Sequence, residues 1–165
     1  MKAINISNYK VNQIASNGVK FASGSNSVKI GRDTFAGGTN STAIGKRAEA
    51  SGKFATALGN YSEALEDGSI AIGSEAWALK ENGIALGRYS RAKVIGAIAI
   101  GKSALVHTAQ GGIAIGENAR VPHNDIHGGT AIGKDALSNH DMAVAIGGGS
   151  SDAKETDRKS TRLNS

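Results

Sequence analysis

The chain has 165 residues, enough for one domain, with 23 glycines, one proline, no cysteine and only 4% aromatic residues. This excludes a collagen helix, a disulfide framework, a thiolate metal site and a conventional thick core. No apolar run approaches the roughly 18 residues of a membrane helix.

Residues 1–26 carry no repeat and read as an N-terminal cap or lead-in segment. The opening Met1-Lys2-Ala3-Ile4-Asn5 lacks a long apolar stretch, so no signal peptide is expected. From residue 27 to residue 150 one unit recurs, an apolar-Ala-apolar-Gly motif. Its glycine stands at Gly45, Gly59, Gly73, Gly87 and Gly101, always 14 residues apart, with Gly31 in a variant coil 14 earlier. The series goes on to Gly116, Gly133 and Gly147 by steps of 15, 17 and 14. Before the glycine comes Ile30, Ile44, Leu58, Ile72, Leu86, Ile100, Ile115, Ile132 or Ile146. Two before it is Ala43, Ala57, Ala71, Ala85, Ala99, Ala114, Ala131 or Ala145, with Lys29 in the first coil. The residue three before is always β-branched, and the residue three after is small or Thr.

A segment such as Ser69-Ile70-Ala71-Ile72, short, β-branched and bounded by glycines, predicts a strand. A unit of 14 residues with one or two glycines makes a poor helix. A weaker alternation after each anchor, such as Ala48 and Ala50 or Ala76 and Ala78, predicts a second short strand per coil, joined by turns in which Gly supplies positive φ. Stacked coils place equivalent strands in parallel about 4.8 Å apart, so eight steps give a rod on the order of 40 Å. Both faces of Ile70-Ala71-Ile72 are apolar. One face fills a thin interior, and the other leaves a long apolar stripe of the kind that marks an interface. The competing reading is an alanine face simply tolerated at a surface.

Residues 151–156 read as the start of a downstream region. Residues 157–165, Asp157-Arg158-Lys159-Ser160-Thr161-Arg162-Leu163-Asn164-Ser165, resemble the in-frame translation of a common sequencing adapter and are expected not to be natural protein. They hold three basic residues and one acidic, so without them the net charge falls from +5 to +3. The high isoelectric point therefore carries no argument for nucleic acid.

Units such as Ser41-Thr42-Ala43-Ile44-Gly45 and Ser69-Ile70-Ala71-Ile72-Gly73, each followed by x-x-Ala-x-Ala, resemble the YadA-like head repeat of trimeric autotransporter adhesins, which also occurs in phage tail-fibre proteins. The resemblance implies a left-handed parallel β-roll, a homotrimer and adhesion to a host surface or extracellular matrix. Its expected localisation is extracellular, on a bacterial surface or on a virion fibre. The expected absence of a signal peptide favours a phage or prophage fibre, and an N-terminally shortened gene start is the alternative. A heptad stalk and a C-terminal anchor barrel are not seen, so membrane contact is expected only through an anchor further along the gene. A purely structural spacer of a tail fibre is a further reading.

The position after the anchor carries Arg32, Lys46, Arg88, Lys102 and Lys134 among its eight residues from Arg32 to Lys134. Such a basic stripe suits anionic glycans or lipopolysaccharide; the bland reading is a solvated turn that suppresses aggregation. Trp77, the one tryptophan, points outward if Ala76 and Ala78 point inward, with Tyr61 and Tyr89 in the coils to either side. Exposed aromatics suit contacts with a partner or a sugar ring, or they pack against a neighbouring subunit. His123, Asp125 and His127 alternate in the longest coil and form a weak metal-site candidate; a polar surface loop is the stronger reading. No cofactor is expected. There is no nucleophile elbow, phosphate loop or Asp-rich calcium repeat. A left-handed acyltransferase helix is the enzymatic competitor, but its six-residue unit does not divide 14. Ice binding would need a regular Thr array, which Ile70, Ile84, Ile98 and Ile113 interrupt.

Overall fold

A computed structural model describes residues 23–122 and 128–152. Among them the chain is all β, a parallel solenoid with two short strands per coil. The motif residues before each anchor form a nine-stranded sheet of β1 (Val28–Ile30), β3 (Thr42–Ile44), β5 (Thr56–Leu58), β7 (Ile70–Ile72), β9 (Ile84–Leu86), β11 (Ile98–Ile100), β13 (Ile113–Ile115), β15 (Thr130–Ile132) and β16 (Val144–Ile146). The residues after each anchor form a seven-stranded sheet of β2 (Phe35–Ala36), β4 (Glu49–Ala50), β6 (Glu63–Ala64), β8 (Trp77–Ala78), β10 (Arg91–Ala92), β12 (Leu105–Val106) and β14 (Arg120–Val121). Isolated bridges at Leu137 and Ser151 carry its line further. Pairing is in register throughout, so Ala57 lies over Ala71 and Ala71 over Ala85.

The interior is built from small side chains. Ala43, Ala57, Ala71, Ala85 and Ala99 are fully buried in the first sheet, and Ala50, Ala64, Ala78 and Ala92 face them from the second. The reading of a surface-tolerated alanine face is thereby overturned, because only residues this small fit between two sheets drawn so close. Buried serines finish the lining, and apart from Ser41 they bond to nearby backbone carbonyls, as when the Ser69 hydroxyl donates to the Glu66 carbonyl and the Ser90 hydroxyl to Gly87. In two successive coils the interior residue is larger than alanine. Val106 and Val121 replace alanine at the end of β12 and β14, and a Cβ built on Gly112 would lie 2.9 Å from Val106 Cγ1.

The two turns of each coil obey different rules. In the turn from the first sheet to the second, the anchor glycines stack directly. A Cβ on Gly59 would sit 2.4 Å from the Gly73 carbonyl oxygen, and Gly45, Gly116 and Gly133 meet the next anchor as closely. The anchor amide also donates to the preceding coil, Gly73 N–H to the Leu58 carbonyl and Gly87 N–H to Ile72, each at 2.8 Å. This turn keeps one length in every coil. The left-handed conformation expected of glycine falls instead on the second residue after it, which is Asp33, Arg47, Tyr61, Glu75, Tyr89, Ser103, Asn118 or Asp135 at φ from 55° to 60°. The anchors, at φ near 130°, are glycine because L side chains rarely adopt that φ and, in every coil but that of Gly147, because no side chain fits between coils this close. Both length changes fall on the opposite side of the coil, between β12 and β13 and between β14 and β15. Stacking on this side varies along the rod: a Cβ on Gly38 would sit 1.7 Å from the Gly52 carbonyl oxygen, whereas Gly111 and Gly128, beside the length changes, have nothing within 4 Å of theirs.

Candidate functional site

With alanine inside, the larger residues of each first-sheet strand point out. The outer face of that sheet therefore carries two parallel apolar ladders. One runs through Ile44, Leu58, Ile72, Leu86, Ile100, Ile115, Ile132 and Ile146, and the other through Ile70, Ile84, Ile98 and Ile113 between threonines and valines. These residues are half-buried to exposed within one chain, with Leu58 40%, Leu86 39% and Ile146 67% exposed. The isoleucine and leucine stripe thus lies on the outside of the coil, while alanine, with serine and the two valines Val106 and Val121, fills the inside.

The basic turn residues Arg32, Lys46, Arg88, Lys102 and Lys134 are all exposed. Several have local partners. Lys102 Nζ lies 2.8 Å from Glu117 Oε1, and that hydrogen bond, with the Lys102 charge, holds the Glu117 carboxyl below its ordinary range. Arg32 lies 3.9 Å from Asp33. Lys46 stands 5.5 Å from the centre of the Tyr61 ring. Arg88 stacks at 4.5 Å over Tyr89 and donates a 3.0 Å hydrogen bond to its hydroxyl, which raises the guanidinium pKa. Exposed contacts of this kind contribute little to stability, but they divide a uniform stripe into local pairs.

Trp77, Tyr61 and Tyr89 lie on the flank of the second sheet and are half-buried. The outward ladder there runs Glu49, Glu63, Trp77, Arg91 and Leu105. Arg91 stacks over the Trp77 ring at 4.5 Å. Glu63, register partner of Glu49, has its carboxyl pKa raised by partial burial and then by the Glu49 charge. Glu49, Glu63, Glu75 and Arg91 were not singled out from the sequence; for Glu49, Glu63 and Arg91 the signal available was the position four after each anchor, which is never small from Phe35 to Leu137. His123, Asp125 and His127 lie outside the described residues, and among the described residues no group of three His, Asp or Glu side chains could hold a metal.

The YadA head domain repeat (2 copies) matches residues 22–48, 36–62, 50–76, 64–90, 78–104 and 127–150, more than half of the chain. The chain belongs to the YadA head domain repeat family. No curated protein matches it. The head repeat accounts for the coil positions found above: the five windows from 22 to 104 each span a strand of the first sheet, the anchor turn and a strand of the second, and the window 127–150 spans β15, its anchor turn, the bridge at Leu137 and β16. Such a YadA-type head offers a long regular surface, and its side chains form two contrasting faces, one apolar and one charged with aromatics.

Proposed function

We propose that the chain is a non-enzymatic head or shaft segment of a trimeric fibre displayed outside the cell, on a bacterial surface or on a virion, where it serves attachment. The observation that supports this reading is the pair of apolar ladders on the outer face of the nine-stranded sheet. The interior holds almost nothing larger than alanine, so one chain buries little apolar surface by itself, and stability of a solenoid depends on faces being covered. Covering the ladders with two further copies would give the chain the thick core it lacks. The family to which the head repeat belongs is built in this way, and left-handed coiling goes with it.

Light scattering on the full chain tests the assembly. The expected mass is three times that of one chain, and Ile98→Lys together with Ile100→Lys is expected to yield monomers of much reduced stability. A stable folded monomer of the unchanged chain would refute the interface. For attachment, the exposed turn cations Arg32, Lys46, Arg88, Lys102 and Lys134 support adhesion to anionic glycan, lipopolysaccharide or a matrix protein. Such adhesion should weaken steeply as salt rises past the range in which screening shortens to about 8 Å. Salt-independent adhesion would count against that part of the reading.

A further inference from the structure

Two adjoining hollows lie along the outer flank of the seven-stranded sheet. One, of about 260 Å³, is lined by Tyr61, Glu63, Glu75 and Trp77. The other, of about 440 Å³, shares Tyr61 and Glu63 and adds Asp33, Phe35, Arg47 and Glu49 among its walls. We propose that the smaller hollow receives a single lysine or arginine side chain from an extended basic polypeptide segment, with Trp77 and Tyr61 as aromatic walls and Glu63 and Glu75 as counter-charges.

Size, charge and ring chemistry converge on this occupant. The hollow is smaller than the roughly 300 Å³ at which small-molecule pockets begin, so it suits one side chain rather than a whole ligand. Among the described residues neither Glu63 nor Glu75 has a cation within ion-pair distance. Together the two hollows gather four carboxylates; Asp33 lies 3.9 Å from both Arg32 and Arg47, and among the described residues Glu49, Glu63 and Glu75 have no cation at that distance. This acidic ground stands out in a chain whose net charge is +5, or +3 without residues 157–165.

Glu49 and Glu63 face one another across β4 and β6. Like charges so placed oppose strand pairing, and partial burial adds to the penalty on Glu63. A cation seated between Glu63 and Glu75 relieves both. The rings of this flank already accept cations: Arg91 covers Trp77 at 4.5 Å and Arg47 stands 5.5 Å from the Tyr61 ring centre. Because Arg91 comes from β10, on the side of β8 away from β6, the side of Trp77 toward Tyr61 is the one that borders the hollow. Aromatic walls with carboxylates are the recognised chemistry for ammonium and guanidinium groups. The larger hollow next to it, with Asp33 and Glu49, extends the acidic ground along the stack and suits a second basic residue of the same segment.

The site lies wholly within one chain and away from the apolar ladders. It rests on the attachment reading only for the partner's being a protein. Trp77 is the sole tryptophan, so its fluorescence reports occupancy. The full chain is titrated with a blocked Gly-Lys-Gly-Lys-Gly peptide and with the same peptide acetylated on both lysine side chains. A saturable change is expected with the first and none with the second. Raising salt from about 50 to about 300 mM should weaken the binding severalfold. Glu63→Gln and Glu75→Gln are each expected to weaken it roughly tenfold, while Glu117→Gln, which lies away from the hollow, leaves it unchanged. Equal response to both peptides, no response to either, or unaltered binding by both glutamine variants would overturn the proposal. So would a saturable response to a neutral oligosaccharide with none to the charged peptide. Light scattering on the same sample separates the two readings: a monomer that binds the peptide removes the trimer alone, and a trimer that does not bind removes this site alone.

Discussion

At the scale of single residues, the anchor glycine and Glu63 carry opposite kinds of constraint. Gly73 combines φ of 131° with a built Cβ only 2.6 Å from the backbone of Gly87. Gly147 has a similar φ of 117°, but its Cβ meets only Ser150 Cβ at 3.9 Å. Comparing the two alanine variants separates strain from collision. Gly147→Ala is expected to cost about 1–3 kcal/mol through strain, and Gly73→Ala clearly more, read as midpoints in urea. Equal losses would show that coil stacking adds nothing. Glu63 is restrained electrostatically. Its native pKa is raised above 4.5 by burial and by Glu49, so the native state holds that proton more tightly than the unfolded chain does. The stabilisation is complete below the ordinary carboxylate range and is lost as pH rises through the native value. Glu63→Gln should therefore melt above the unchanged chain at pH 7 and together with it near pH 3.5. A difference that persists in acid would sink this account.

At the scale of elements, strand pairing and interior size act together. The sequence shows the strands of the first sheet plainly, because a β-branched residue, then alanine in all coils but the first, then Ile or Leu precedes every anchor. It shows the second sheet faintly, since two-residue strands such as β6 and β8 have no periodicity of their own and exist only because neighbouring coils hold them. The match between Val106 and Gly112 is an element-scale compensation. Gly112→Ala places a methyl 2.9 Å from Val106 Cγ1 and is expected to cost about 1–3 kcal/mol by overpacking. Adding Val106→Ala should recover the part owed to Val106, leaving the contact of the methyl with the Ala109 carbonyl oxygen, also at 2.9 Å. Additive losses in the double variant would mean that the two sites do not share space.

At the scale of the whole molecule, the coil is the unit of deletion. Removing residues 60–73 joins Gly59 to Ser74 and takes out one complete 14-residue coil. The product is expected to keep its β signature in circular dichroism and to melt cooperatively, slightly lower for want of one interface. Removing only residues 67–73 deletes a first-sheet strand and its anchor, leaves a second-sheet strand unmatched and should prevent folding. Comparable stability of the two deletions would contradict a register set by whole coils.

The sequence alone determined the period, the parallel stacking and the presence of an apolar face, because a residue repeated every 14 positions must recur at one place in every coil. It did not determine which side of the strand is the inside. Ile70-Ala71-Ile72 is apolar both ways, and alternation cannot choose between two apolar faces. The tertiary structure decides it through the distance between the sheets, which admits Ala71 and Ala78 but not isoleucine. The acidic-aromatic hollow was hidden for a related reason. Tyr61, Glu63, Glu75 and Trp77 come from adjacent coils, 14 residues or more from Tyr61 to Glu75, and only the turn and strand geometry of the stack sets the four side chains around one cavity.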